Sequence, residues 1–276
     1  MTQMNTPLVP LGDGAVIPQL GFGTFKVPPD DTERAVTEAL RVGYRHIDTA
    51  ALYNNESGVG AAIAASGIPR DQLFVTTKLW NDQHDPDRAW AAINASLEKL
   101  RLDFVDLYLI HWPAVRRYGD TYIAAWDALQ QFKQAGLATS IGVCNFSTAN
   151  VDALRGEKPA VNQFELHPTL AQVPLRTDMA QRGIAIESWA PLGQGADLSH
   201  PVVLHVAAET ERTPAQVVLR WHLQHGFITI PKSVTPARIA ENARSLDFEL
   251  TGDQMEALDG LDAGNRLGSN PETADF

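Results

Sequence analysis

Four polar side chains, Asp48, Tyr53, Lys78 and His111, have the chemistry needed for acid–base work on a carbonyl group. A phenol with a pKa of about 10 is a poor proton donor at neutral pH, but a neighbouring ammonium lowers that pKa. Lys78 can supply the ammonium, and Asp48 can be the counter-ion that a partly buried lysine needs. A neutral His111 would then orient a substrate carbonyl, and Tyr53 would donate the proton as a general acid.

The segments around these residues alternate between apolar, β-rich runs and helical patterns, which is typical of βαβ units and a parallel sheet. We predict eight strands, at Gly21–Phe25, His46–Thr49, Leu73–Lys78, Val105–His111, Ser140–Val143, Val161–Glu165, Ala185–Glu187 and Phe227–Ile230. Three of the four residues end the second, third and fourth strands, and Tyr53 follows in the loop after the second. In a (β/α)8 barrel these strand ends share one face, so the four side chains are expected to meet there.

Helix signals lie between the strands. Two apolar stripes have helical spacing, and they are Ala89, Ile93, Leu97, Leu100 and Tyr122, Trp126, Leu129. Three helix starts carry proline in the first turn, and they are Asp85-Pro86, Thr213-Pro214 with Gln216 in a capping box, and Thr235-Pro236. Both signals support the alternation of strands and helices.

The two ends of the chain depart from this alternation. Near the N-terminus, Leu8–Leu11 and Ala15–Ile17 flank Gly12-Asp13-Gly14, which predicts a β-hairpin. The tail after about Asp262 has neither a helical nor a strand period. We therefore predict one α/β domain over residues 1–276, a (β/α)8 TIM barrel with an N-terminal β-hairpin that caps the barrel bottom.

The four polar residues lack an electron source. Gly21-Phe22-Gly23 is not a dinucleotide fingerprint, because Lys26 stands where GxGxxG needs its third glycine. The other histidines show no zinc-site spacing, so no metal is expected. The segment from Lys232 to Arg238 follows the eighth strand and opens a helix, where barrels commonly bind phosphate, and its two cations and two hydroxyls suit a phosphate monoester.

Composition restricts the protein's class. With 44% hydrophobic and 20% charged residues, the chain is expected to be soluble, and no apolar run approaches the roughly 18 residues of a membrane helix. A net charge of -11 argues against nucleic acid as a partner. The single cysteine and the absence of a signal-peptide pattern in Met1–Pro10 favour the cytoplasm. Nothing indicates an extensive apolar interface, so a monomer is expected.

From about residue 7 to residue 270 the chain resembles the aldo-keto reductase superfamily, and most of all prokaryotic reductases of the 2,5-diketo-D-gluconate reductase type. The segments that carry the resemblance stand in the family's order, and they are LGFGTF, GYRHIDTAALYNNE, VTTKLW, DLYLIHWP, IGVCNF, NQFELHP, SWAPLGQG and IPKSVTPARIAEN. The resemblance implies reduction of aldehydes or ketones with NADPH. It also implies that Asp48, Tyr53, Lys78 and His111 form a catalytic tetrad in which Tyr53 donates the proton.

The resemblance further implies a set of cofactor-binding residues. Asn145 and Gln163 would hold the nicotinamide carboxamide, and Trp189 would stack on the ring. The full set is Thr24, Asp48, Asn145, Gln163, Trp189, Leu192, Gly193, Gln194, Lys232, Ser233, Val234, Arg238, Glu241 and Asn242. Within it, Leu192, Gly193 and Gln194 would line the pyrophosphate, Lys232, Ser233 and Arg238 would take the 2′-phosphate, and Glu241 and Asn242 the adenine. The substrate-binding set is Phe25, Tyr53, Trp80, His111 and Trp112.

Three positions depart from the family's commonest pattern, with Cys144 in place of serine, Trp189 in place of tyrosine and Phe25 in place of tryptophan. The lost serine hydroxyl would weaken one hydrogen bond to the carboxamide. Two other functions stay open from sequence, a non-enzymatic NADPH-binding redox sensor or regulatory subunit, and a metal-dependent barrel hydrolase. The intact tetrad argues against the first, and the strand ends lack the ligands that the second requires.

Overall fold

A computed structural model of the protein describes residues 4–276. Residues 1–3 of the predicted domain lie outside this part. An antiparallel hairpin of β1 (Leu8–Pro10) and β2 (Val16–Pro18) precedes a parallel sheet of eight strands, in which each strand pairs with the next along the chain. The strands are β3 (Phe22–Gly23), β4 (His46–Asp48), β5 (Phe74–Leu79), β6 (Val105–Ile110), β7 (Ala138–Cys144), β8 (Val161–Glu165), β9 (Ala185–Trp189) and β10 (Ile228–Thr229).

The sheet closes on itself between its first and last strands. The Gly21 amide donates to the Thr229 carbonyl at 2.9 Å, and the Thr229 amide donates to the Gln19 carbonyl at 2.8 Å. Two residues further along each strand, the Gly23 amide donates to the Pro231 carbonyl at 3.2 Å. These bonds join β3 to β10, so the eight strands form a barrel.

The helices surround the barrel. They are α1 (Pro29–Val42), α2 (Glu56–Ser66), α3 (Pro86–Leu100), α4 (Val115–Tyr118), α5 (Thr121–Gln134), α6 (Thr148–Asp152), α7 (Val173–Arg182), α8 (Pro201–Thr210), α9 (Pro214–Gln224), α10 (Pro236–Ala243) and α11 (Gly252–Asp259). In residues 4–276 no helix has the length and the apolar composition needed to cross a bilayer.

All three predicted helix starts are present, and side-chain caps hold two of them, whereas Thr235 makes no capping hydrogen bond at the start of α10. The Asp85 side chain accepts from two backbone amides at the start of α3, and Thr213 forms a capping box with Gln216 at the start of α9. Both predicted apolar stripes are buried, one on α3 and the other on α5. They pack between the helices and the outside of the barrel, where the larger of the two apolar cores lies.

The hairpin fills the bottom of the barrel. Leu11 and Ile17 from the hairpin are buried in a second apolar core with residues that point into the barrel, among them Phe74, Leu107 and Ile228. The predicted cap at the barrel bottom is therefore present. Because this end is closed by apolar side chains, polar groups in the barrel interior are accessible from the opposite face, at the carboxyl ends of the strands.

All eight predicted strands are present, with ends that differ by up to two residues. β3 keeps only two residues of the predicted Gly21–Phe25, because the chain turns away after Gly23, and Lys26 takes a left-handed conformation with φ of 60°. β9 continues two residues beyond the predicted end to Trp189, since its ladder with β8 extends that far. Tyr53 lies in a 3-10 turn at Ala51–Tyr53 rather than in an irregular loop.

Gly23→Ala tests the seam between β3 and β10. A Cβ atom at Gly23 would lie 2.7 Å from the Ile230 carbonyl oxygen, which belongs to backbone and cannot rotate away. We expect the free energy of unfolding to fall by about 1–3 kcal/mol, measured by urea denaturation. The control is Gly252→Ala at the start of α11, where a Cβ meets nothing within 4 Å and stability should be unchanged or slightly higher. Equal stability of the two variants would contradict the close packing of the seam.

Candidate active site

A cavity of about 1260 Å³ opens at the carboxyl ends of the barrel strands. Its floor includes residues at or near the carboxyl ends of β3, β4, β7, β8 and β9, and they are Gly23, Asp48, Cys144, Gln163 and Trp189. Pockets for drug-sized ligands have volumes of about 300–1,000 Å³. The cavity is therefore large enough for a dinucleotide-sized molecule together with a small second ligand.

A buried ion pair between Lys78 and Asp48 lies under the cavity. The Lys78 Nζ atom is 2.6 Å from Asp48 Oδ1 and donates a second bond to the Thr49 carbonyl at 2.9 Å. Burial is the largest single influence and lowers the pKa of Lys78, but Asp48, Tyr53 and Cys144 together raise the pKa by more, so the ammonium stays charged. The predicted pairing of these two residues is confirmed.

Tyr53 lies beside this ion pair. Its ring centroid is 5.2 Å from Lys78 Nζ and 5.6 Å from the centroid of the His111 ring. Burial raises the pKa of the Tyr53 phenol, and the Lys78 charge lowers it by less, so the net shift is upward from 10.0. The expected downward shift is wrong, because the cost of desolvating a phenolate exceeds the attraction of the ammonium. Tyr53 therefore holds its proton firmly at neutral pH.

His111 completes the predicted group. It is buried, and both its burial and the nearby Lys78 charge hold its pKa well below 6.5. Its Nδ1 atom is buried and has no hydrogen-bond partner among the described residues. The imidazole is thus neutral, as the sequence predicts. The structure brings Tyr53, His111 and Asp48 together at the cavity surface, with Lys78 directly beneath them.

A second carboxyl group, Glu187, lies next to this centre and was missed by the sequence analysis. The Gln163 side-chain amide donates to Asp48 Oδ2 and to Glu187 Oε2, each at 2.9 Å. Burial, and then the negative charge of Asp48, raise the pKa of Glu187 to about 8. A charged residue within the apolar strand AIESW is the sequence signal that marks this position.

The residues expected to hold a carboxamide are fixed in place by one another. The Trp189 indole donates to Asn145 Oδ1 at 2.9 Å, and the Asn145 amide donates to the His111 carbonyl at 3.1 Å. The Cys144 thiol is buried, with a raised pKa, and donates to Gln163 Oε1 at 3.6 Å. Cys144 is therefore a packed residue that helps to orient Gln163.

The other end of the cavity is lined by the segment after β10 and the first turns of α10. Lys232 and Arg238 are exposed there, while Ser233 is mostly buried and accepts a bond from the Thr235 amide at 3.1 Å. Glu241 and Asn242 also line this end. Two cations at a helix N-terminus suit a phosphate group. The predicted phosphate residues and the four polar residues therefore open into the same cavity.

Aromatic rings form the wall near Tyr53. The Phe25 ring lies 5.0 Å from the Tyr53 ring, and the Trp80 ring lies 5.2 Å from the His111 ring. Trp112 lines the same part of the cavity. The predicted substrate residues are thus on one wall. Phe276 joins them, stacked on Trp80 at 5.9 Å and edge-on to Trp112 at 5.1 Å, and no spacing in the sequence indicated its position.

Three residues of the predicted cofactor set do not line the cavity. Thr24 is buried and donates to the Asp48 carbonyl at 3.0 Å, which holds the end of β4. Gly193 is packed against the Asp197 carboxylate, where a Cβ atom would lie 2.5 Å from Oδ1. Val234 packs against the outer apolar core. They support residues that line the cavity, while tail residues Leu267, Gly268 and Ser269 form part of the wall directly.

Comparison with known proteins gives one consistent family. The model of the Aldo/keto reductase family matches residues 19–263. Methylglyoxal reductase DkgA from Yersinia pestis is 50% identical over 272 residues, which covers 96% of each chain. An aldo-keto reductase from Mycolicibacterium smegmatis is 48% identical over 98% of this chain and 99% of its own.

Solved structures are similar to this chain over nearly its whole length. A crystal structure of a Gox0644 mutant in complex with NADPH matches with a TM-score of 0.94 at 42% identity, over 98% of this chain and 99% of the other. The Bombyx mori aldo-keto reductase in complex with NADP matches with a TM-score of 0.90 at 36% identity, over 98% of this chain and 96% of the other. These likenesses confirm the predicted fold.

Glu187→Gln tests the buried carboxyl. The folded state keeps a proton on Glu187 up to about pH 8, whereas the unfolded chain releases it near 4.5. Between these pH values the contribution of Glu187 to stability should fall as pH rises, by about 1.4 kcal/mol per unit. We expect the free energy of unfolding, measured from pH 5 to 8, to fall less steeply in Glu187→Gln than in wild type. The control is Glu98→Gln on the exposed side of α3. Parallel profiles for wild type and Glu187→Gln would contradict the raised pKa.

Proposed function

The chain belongs to the aldo/keto reductase family, and on that premise we propose that it reduces a small aldehyde or ketone to an alcohol with NADPH. The observation that carries the proposal is one cavity that joins a proton-donating centre to a cationic helix start. Tyr53, His111 and Asp48 lie at one part of its lining, and Lys232, Ser233 and Arg238 lie at another.

The donor set of the cavity fits NADPH. Lys232, Ser233 and Arg238 would bind the 2′-phosphate, Glu241 and Asn242 the adenine, and Leu192 and Gln194 the pyrophosphate. Asn145 and Gln163 would hold the carboxamide, with Trp189 against the nicotinamide ring. Thr24 would lie near the nicotinamide ribose, Gly193 and Val234 would act by supporting these residues, and Asp48 belongs to the same cofactor-binding set. When bound, NADPH supplies the hydride that the side chains of the site cannot provide.

The protein's own side chains would then supply the proton. Tyr53 carries a proton at neutral pH and would donate it to the substrate oxygen as that oxygen gains negative charge. Lys78, 5.2 Å from the ring, stabilises the phenolate that Tyr53 leaves behind, and Asp48 keeps Lys78 charged and fixed. His111 is neutral and next to Tyr53, so it can hydrogen-bond the same oxygen without competing as an acid.

The substrate would bind against the aromatic wall. Phe25, Trp80 and Trp112 surround the approach to Tyr53 and His111 with apolar surface, which suits a small uncharged carbonyl compound. Methylglyoxal is the first compound to test, because the relative from Yersinia pestis is named methylglyoxal reductase. A panel of aldehydes, diketones and keto sugars, followed by the loss of NADPH absorbance, would rank substrates.

Tyr53→Phe tests the proton donor. The substitution removes the hydroxyl and keeps the ring, so kcat should fall by about 100- to 10,000-fold while NADPH binding stays within a few-fold. Steady-state rates and NADPH fluorescence titration measure the two effects. Tyr118→Phe, outside the cavity lining, is the matched control and should have wild-type rates. Near-normal turnover by Tyr53→Phe would overturn the role of Tyr53.

Tight NADPH binding by wild type without turnover of any substrate would favour a sensor or regulatory subunit.

The preference for NADPH over NADH tests the cationic end. Each charge-assisted hydrogen bond to the 2′-phosphate contributes about 1.5–3 kcal/mol, so kcat/KM should be at least about tenfold higher with NADPH. Lys232→Met and Arg238→Met should each reduce that ratio, mainly because NADPH binds more weakly. The kcat/KM with NADH should change little. Lys158→Met, at an exposed position away from the cavity, should leave the ratio unchanged. Equal kcat/KM for the two cofactors in wild type would contradict the phosphate assignment.

A further inference from the structure

Behind the cavity wall, the buried side chains of Glu165, His167 and Asp197 form a hydrogen-bonded group that takes no part in the proposed reaction. His167 Nδ1 is 3.1 Å from Asp197 Oδ2, and its Nε2 is 3.4 Å from Glu165 Oε1. All three side chains are at most 1% exposed. An imidazole between two carboxylates carries its proton more readily than in water, because both neighbours favour the charged form.

Asp197 connects this group to one wall of the cavity, which is formed by the segment 192–199. It lies in the segment 192–199, whose residues Leu192, Gln194 and Leu198 line the cavity. Its Oδ1 accepts from the Thr169 hydroxyl at 2.8 Å, and Gly193 packs directly on its carboxylate. The backbone of this segment is irregular, with a left-handed conformation at Gln194. The segment therefore depends on side-chain contacts for its position.

Glu165 connects the group to a second wall of the cavity, which is formed by the tail 266–269. Its carboxylate accepts from the backbone amides of Leu267 at 2.8 Å and Gly268 at 3.0 Å, and from the Arg266 guanidinium at 3.4 Å. Gly268 in turn packs so closely on the Trp189 ring that a Cβ atom would overlap it. The carboxylate thus holds the tail that lines the cavity, and the tail presses on the ring proposed to contact nicotinamide.

The charge on His167 depends on several groups. Burial lowers its pKa, but the hydrogen bonds and charges of Asp197 and Glu165 outweigh burial and raise the pKa to about 9. The positive Arg266 lies on the far side of Glu165. His222 also faces this group, and its own pKa of about 3 leaves it neutral.

We propose that His167 is a positioning residue that ties the segment 192–199 to the tail 266–269 through Asp197 and Glu165, and so sets the binding shape of the cavity. The proposal rests on the proposed function, because it concerns binding of the same cofactor and substrate. The two walls come from distant parts of the sequence, and His167 contacts the carboxylate that holds each of them. His167 itself does not line the cavity and acts only through these neighbours.

Three substitutions that preserve side-chain shape distinguish the contribution of each wall to binding. His167→Gln removes the positive charge and leaves two facing carboxylates, so the NADPH Kd and the substrate KM should both rise about tenfold, equivalent to about 1.4 kcal/mol. Asp197→Asn should raise mainly the NADPH Kd, because the segment 192–199 is proposed to contact the pyrophosphate. Glu165→Gln should raise both the NADPH Kd and the substrate KM, because the tail lines the cavity and also presses on Trp189. In all three variants kcat should change less than these constants, because Asp48, Tyr53, Lys78 and His111 are untouched.

The pH profile provides a readout that packing alone would not change. The folded pKa of His167 is about 9, so the imidazole keeps its charge up to about pH 8 and the tie is lost as pH rises through about 9. The NADPH Kd of wild type should increase through this range, and in His167→Gln this increase should be absent. If His167→Gln does not fold, the wild-type profile and the Asp197→Asn and Glu165→Gln variants still test the proposal.

A stability control distinguishes a tie from ordinary core packing. Leu129→Ala, in the buried face of α5, should lower Tm without changing the NADPH Kd or the substrate KM. If His167→Gln lowers Tm but leaves both constants and the pH profile as in wild type, the proposal is overturned. Failure of wild type to reduce any carbonyl with NADPH would instead reject the proposed function, so the two failures are distinguishable.

Discussion

The buried ion pair between Lys78 and Asp48 is the interaction on which the candidate site depends. Removing an ammonium from water costs several kcal/mol even after relaxation, so a buried lysine persists only with good partners. Asp48 at 2.6 Å and the Thr49 carbonyl at 2.9 Å are those partners. Asp48 ends β4, Thr49 follows it directly, and the lysine lies on β5, so the parallel ladder that pairs Asp48 with Thr76 fixes their offset. The closed barrel is thus what makes a charged lysine possible at this depth.

Around this one pair, burial keeps the other titratable groups neutral. His111 and His46 have depressed pKa values, and Tyr53 and Glu187 have raised ones, with desolvation the largest cause in each case. A phenol in this setting holds its proton in the resting state, yet the ammonium beside it favours the phenolate once the proton has left. Both properties suit a general acid. The sequence predicted the neighbours of Tyr53, but the balance between burial and charge depends on depth, which sequence spacing does not encode.

What the sequence predicted and what it missed have different physical origins. Strands, capped helices and the hairpin follow from local apolar periodicity and turn chemistry, and all eight strands were found within a few residues. Residues at strand ends followed, because a barrel places those ends on one face. Phe276 was missed because its contacts with Trp80 and Trp112 join segments more than 150 residues apart through a tail without periodicity. His167 has no metal-site spacing in the sequence, and its contact with Asp197, 30 residues away, arises only in the fold.

The walls of the cavity obey a different constraint from its floor. Four residues that line it, Lys26, Asn145, Ala190 and Gln194, have left-handed backbone conformations, each costing about 1–2 kcal/mol. Such conformations persist where surrounding contacts hold them. Asn145 is held by Trp189 and by the His111 carbonyl, and the segment containing Gln194 is held by Asp197. Strand pairing therefore fixes the ion pair, while a separate set of side-chain contacts fixes the walls. Because the two sets share few residues, the cavity can change the ligands it accepts without disturbing the charge on Lys78.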